Sequence, residues 1–135
     1  MDAFVQPLYE LADFDAIIRQ LKKPGIVQVS GCLDSQKAHF TNGLLREFPF
    51  RLIVAENDLK AKAFYEDFRL YDPEVLYYPA RDLIFYQADI HGNLLTRQRI
   101  QVLRALLERE EVTIVTSIDS CLDCLVPLAV WKEKV

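Results

Sequence analysis

The 135-residue chain lacks any apolar run of the roughly 18 residues that a membrane-spanning helix needs, so no transmembrane segment is expected. Its first stretch, MDAFVQPLYELADFD, carries acids and no basic cluster, so no secretory signal is expected in it. Three cysteines, Cys32, Cys121 and Cys124, are too few for a disulfide framework, and a reducing cytoplasm is the expected setting. Positive charge is also scarce: the formal charge is −4, so the chain has no bulk attraction for nucleic acid and should not bind DNA alone. What is present is ordinary for one globular domain, with 51% apolar and 27% charged residues. A chain of this length buries roughly 68% of its unfolded surface and needs no crosslinks.

The apolar pattern alternates between two periods. Pro7 suits a first helical turn ahead of Leu8 and Leu11. Phe14, Ile17, Ile18 and Leu21 then recur at helical spacing, and Pro24-Gly25 ends that helix. A strand-turn-helix unit follows three times. The strands are expected at residues 25–31, 52–56 and 75–79, with a fourth beginning at Val112. Asp34 or Ser35 is expected to cap a helix burying Phe40, Leu44 and Leu45. Asn57 or Asp58 is expected to cap one carrying Leu59, Ala63, Phe64 and Phe68, stopped by Asp72-Pro73. A loop over residues 80–93 precedes a long helix marked by Leu95, Val102, Leu103, Leu106 and Leu107. Strands alternating with helices predict an α/β domain with a mostly parallel sheet and helices on both faces. N-terminal helices (1–24), the α/β domain (25–128) and the start of a following segment (129–135) are expected in turn. Trp131-Lys-Glu-Lys-Val135 closes without a recognisable final element, as expected of a piece of a longer chain.

The first expected strand runs into Gly31-Cys32-Leu33-Asp34-Ser35-Gln36-Lys37-Ala38, which matches G-x-x-x-x-G-K-[ST] at Gly31 and Lys37 only. Gln36 replaces the glycine that lets backbone curl around phosphate, and Ala38 replaces the hydroxyl that holds Mg²⁺. Asp34 adds a negative charge where phosphates would sit. The following helix still offers N–H groups, but Asp34 can occupy them as a cap. This is a degenerate phosphate loop, and no catalytic, cofactor or metal residue is assigned. No acidic pair follows the fourth strand, where Asp119 stands without a neighbouring Glu.

Other residues point more weakly to chemistry. Cys121-Leu-Asp-Cys124 lacks the second ligand pair of a zinc site and reads as two buried structural cysteines. His39 and His91 have no nucleophile placed beside them. Arg97, Arg99 and Arg104, with Glu108 and Glu110 nearby, read as a solvated or salt-bridged face. Leu83, Ile84, Phe85 and Tyr86 are apolar for a loop. Leu83, Phe85 and Tyr86 are the expected contact with another domain, unless they fold back on their own core.

Taken in order, Gly31-CLDSQ-Lys37-Ala38, the block from Arg51 to Arg69, the run from Tyr78 to Asn93, the helix from Arg97 to Leu107 and the run from Val112 to Leu128 resemble the N-terminal, UvrB-like domain of bacterial transcription-repair coupling factors. The resemblance spans about residues 24–128, and its ordered blocks are more specific than any one motif. UvrB itself has a complete phosphate loop, so Gln36 and Ala38 favour the coupling factors. The resemblance implies a RecA-like, P-loop-NTPase-like three-layer fold without ATPase activity of its own. It implies a parent protein that uses ATP and Mg²⁺ to translocate on DNA, releases stalled RNA polymerase and recruits UvrA for nucleotide excision repair. This domain would be a non-catalytic scaffold touching other domains of the parent. UvrA contact belongs mainly to a later inserted domain and is carried over to no residue here. Two other functions fit part of the pattern: a RecA-like ATPase half, and a free-standing interaction module of flavodoxin-like topology.

Overall fold

The computed structural model describes residues 3–80 and 89–123 and the isolated positions 125, 127 and 130; of residues 89–93 it describes the backbone alone. A 3-10 turn, Gln6–Glu10, holds Pro7 in its first turn. Helix α1, Phe14–Leu21, presents one strongly apolar side. Val5, Leu8, Phe14 and Ile18 form a small core of their own, closed by Phe40 and Leu44 of helix α2, Asp34–Leu45. Ring edges reinforce it, with Phe14 packed edge-on against Tyr9 at 5.1 Å and Phe40 at 5.6 Å between centroids.

Among the described residues three parallel strands make the sheet. Strand β1 is Phe50–Ala55, β2 is Leu76–Tyr78 and β3 is Val112–Ser117, in spatial order β1-β3-β2. Helix α3, Asp58–Phe68, joins β1 to β2 in sequence, and helix α4, Asp89–Glu108, precedes β3. Asn57 caps α3, its side chain accepting from the Lys60 N–H at 2.9 Å. A short helix α5, Ile118–Cys121, follows β3 and is capped by Ser117. The register pairs Phe50 with Val112, Leu52 with Ile114 and Val54 with Thr116, while Leu76 also pairs with Ile114.

The two periods of the sequence sort residues onto two faces. Val115 points to α3, into a core with Ala38, Ala61, Phe68 and Val75, against which Ile53 and Ala55 also pack. Val112 and Ile114 point to α4, into a second core with Tyr78, Val102 and Ala105. Helices therefore lie on both faces and the sheet is wholly parallel, as the alternation predicts. All six residues of β3 are buried, because this strand is central and covered on both sides.

Several expectations are corrected. Residues 26–33 join no sheet among the described residues, so the expected strand at 25–31 is not formed, and Ile26 is 99% exposed. β-branched residues favour a pleated surface only where a neighbour supplies ladder bonds and packing. Leu59 and Ala63 face solvent, because the buried stripe of α3 runs through Ala61 and Phe68. The long helix starts at Asp89, inside the stretch expected to be loop. Asp34 and Ser35 do not cap α2; its N-cap is Leu33. Phe40, Leu44 and Leu45 are half-buried, while Ala38, Asn42 and Gly43 are the buried residues of that helix.

Candidate functional site

Two places in an α/β domain of this kind can hold a ligand: the turn entering the first helix, and the carboxyl edge of the parallel strands. At the first, Gly31 has φ +90°, a left-handed conformation natural only to glycine, and it turns the chain toward α2. Asp34 lies in the first turn of the helix, and its carboxylate faces Lys37 at 2.6 Å. The Gln36 side chain reaches back and accepts from the Leu33 N–H at 3.3 Å. Ala38 is buried against the α3 core, so a hydroxyl at position 38 would enter an apolar cluster. The one cation of the loop and one of its N–H groups are thus engaged by the loop's own side chains.

The hydrogen bond from Lys37, then its charge, hold the Asp34 carboxyl below the ordinary aspartate range, and the charge of Lys60 adds to this. The lowered folded value means the pairing is present above the ordinary aspartate range and is lost as pH falls through the lowered one. Followed by side-chain carbon shifts in NMR, Asp34 should titrate below a free aspartate, and Lys37→Met should move its midpoint up. An unmoved midpoint would show that the pair does not form in solution.

At the carboxyl edge, Asp58 is the hub. Its Oδ1 accepts from the Ala80 N–H at 3.1 Å and faces the Ser117 hydroxyl at 3.5 Å, while its backbone carbonyl faces the Tyr77 hydroxyl at 3.4 Å. Burial first, then the hydrogen bond and charge of Asp58, push the Tyr77 phenol well above the usual tyrosine range. Ser117 and Ser120 share a hydroxyl bond of 2.9 Å, and Thr116 donates to the Tyr78 carbonyl at 2.9 Å. Ser117 is fully buried, and its hydroxyl is taken up by Ser120 and the Asp58 carboxylate.

Arg99 closes the same edge. It is 6% exposed, so of the two expectations for these arginines it departs from the solvated one, while its ion pair is buried rather than on a surface face. Nη1 donates to the Pro79 carbonyl at 2.8 Å and pairs with Asp123 at 2.8 Å, and the guanidinium lies 4.2 Å from the Tyr78 ring centroid. Helical period marked this position only as polar; nothing local told it from Arg97 and Arg104. Arg97 is exposed, and Arg104 does bridge to Glu108 at 2.8 Å across one turn, as expected of a surface pair.

The remaining candidates separate. His39 bonds the Phe4 carbonyl through Nε2 and stacks on Tyr71 at 5.4 Å, remote in role from any nucleophile. Cys121 is exposed, which corrects its reading as a buried structural thiol; Cys32 is half-buried. Cys124 lies outside the described residues, as do Leu83, Ile84, Phe85 and Tyr86, and the side chain of His91 is likewise not described. A polar groove of roughly 240 Å³ lies beside β2 between Tyr65, Arg69, Gln98, Gln101 and Arg109. That is below the range of about 300–1,000 Å³ usual for small-molecule sites. Among the described residues no group of three or more His, Cys, Asp or Glu could hold a metal ion, and no helix is long and apolar enough to cross a membrane. No protein-family model, no curated protein and no solved structure matches this chain.

Proposed function

We propose that this chain is a non-catalytic, RecA-like scaffold domain of a transcription-repair coupling factor, a protein that as a whole uses ATP and Mg²⁺ to move on DNA, displaces stalled RNA polymerase and recruits UvrA. The observation that carries the non-catalytic part is the loop that satisfies itself. A phosphate-binding loop must present a free lysine and free backbone N–H groups to the nucleotide. Here Asp34 neutralises Lys37 at 2.6 Å and Gln36 takes the Leu33 N–H. The parent assignment rests on the ordered resemblance of sequence blocks, and the parallel α/β layers with helices on both faces support the fold class it implies. In this reading the domain's work is mechanical: it presents a rigid layer to other domains of the parent, with ATP and Mg²⁺ handled elsewhere in that protein.

The test is calorimetric titration of the chain with Mg-ATP. No saturable heat is expected up to millimolar nucleotide, in the wild type or in Ala38→Ser, because the Asp34–Lys37 pair and Gln36 remain. A dissociation constant below the millimolar range in the wild type would overturn the proposal in favour of an ATPase half.

A further inference from the structure

The α4 face of the sheet is only partly covered. A helix about 10 Å across spans two strands spaced about 4.8 Å apart. Helix α4 accordingly covers β2 and β3. Phe50, Leu52 and Val54 of β1 share that face, through their register with Val112, Ile114 and Thr116, and are left 59%, 62% and 46% exposed. The same strand is an edge: among the described residues it pairs with β3 alone. The Val112 N–H donates to the Pro49 carbonyl at 2.8 Å, so the odd-numbered residues of β1 bond toward β3. In a parallel ladder the alternate residues then aim their N–H and C=O groups the other way, and these are again Phe50, Leu52 and Val54.

The two edges of the sheet are managed differently. β2 is three residues long and lies between Pro73 and Pro79, a blunted edge. β1 is six residues, Phe-Arg-Leu-Ile-Val-Ala, without proline or lysine. Its one charge, Arg51, is turned to the opposite face and lies 3.9 Å from both Asp72 and Glu111.

We propose that the β1 edge pairs with the β1 edge of a second copy of this chain, antiparallel across a two-fold axis at Leu52. The sequence of the strand is self-complementary in that register. Phe50 falls opposite the partner's Val54 and Leu52 opposite the partner's Leu52, on one face. Arg51 falls opposite the partner's Ile53 on the other. An axis perpendicular to the sheet keeps both apolar rows on the same side, and it brings together the backbone groups that point outward. Aromatic with β-branched is a favourable cross-strand pair. The result is one continuous six-stranded sheet with both β1 edges used up, so assembly stops at two. Two short strands bury less than the roughly 1,200 Å² of a stable interface, so the dimer belongs to the transient class.

Sedimentation velocity on the full 135-residue chain, from a few micromolar to several hundred, tests this. The wild type should shift from monomer to dimer across that range. Leu52→Lys and Leu52→Glu should each stay monomeric, since like charges then meet at the axis. Their equimolar mixture should regain the dimer, and the side chain's exposure lets each variant keep its fold and melting temperature. A wild type that is monomeric throughout would overturn the proposal and leave the edge to a strand of another polypeptide. A dimer indifferent to Leu52→Lys, growth beyond two copies, or a mixture that fails to associate would overturn it equally.

Discussion

Replacing Phe68 by Ala should destabilise the chain by about 4 kcal/mol, the largest loss expected from a single side chain here. Phe68 is fully buried at the end of α3, where its ring stacks on Phe64 at 5.7 Å. It fills the space between Ala38 of α2, Ala61 of its own helix, Val75 before β2 and Val115 of the central strand. Two of those neighbours are alanines, too small to expand into the void. The cost is thus the lost transfer energy plus a cavity that cannot close. Domains of this size are stable by about 5–15 kcal/mol, so the variant should stay folded only with a much lower urea midpoint. A loss under about 1.5 kcal/mol would mean that the helix end collapses onto the sheet and that the packing is softer than the burial implies.

Replacing Arg99 by Ala should cost about 3 kcal/mol, the low end for breaking a buried ion pair, because Asp123 keeps 27% of its side chain exposed and can regain water. The Pro79 carbonyl loses its donor at the same time, and the Tyr78 ring loses the cation stacked on it. Arg99→Lys should recover only part of the loss. A lysine supplies one point charge, whereas the planar guanidinium lies on the ring while serving two acceptors. Urea unfolding of the three proteins measures this, and a lysine variant as stable as the wild type would show that charge alone matters at this position. The result also separates the two readings of the arginines on α4, since a solvated face predicts almost no change.

Much of the fold was legible because it depends on local periods. Phe14, Ile17, Ile18 and Leu21 mark a helix by spacing alone, and the helix runs from Phe14 to Leu21. The run from Val112 reads as a strand, and the strand runs from Val112 to Ser117. Asn57 and Ser117 were not equally visible. Asn57 precedes an apolar helix in the usual capping position, whereas Ser117 serves at once as the last residue of a strand and the cap of a four-residue helix. The departures at Gln36 and Ala38 from a phosphate-loop pattern are visible in the sequence itself, whereas contacts that depend on approach are not. Asp58 meets Ala80 and Ser117, residues 22 and 59 positions away, and no pattern in the chain announces such a meeting.

By itself the sequence determined the α/β class of the domain and the identity of most of its helices and strands. These follow from side-chain period, backbone restriction and the chemistry of single residues, all of which act within a few positions. Tertiary structure alone decided the rest. It set the order β1-β3-β2, left residues 26–33 unpaired with any strand among the described residues, and turned Arg99 inward and Cys121 outward. Each depends on which surface another part of the chain happens to cover. A strand is a strand only beside a partner, and a charge can be buried only where an acceptor and a ring arrive from distant segments to receive it.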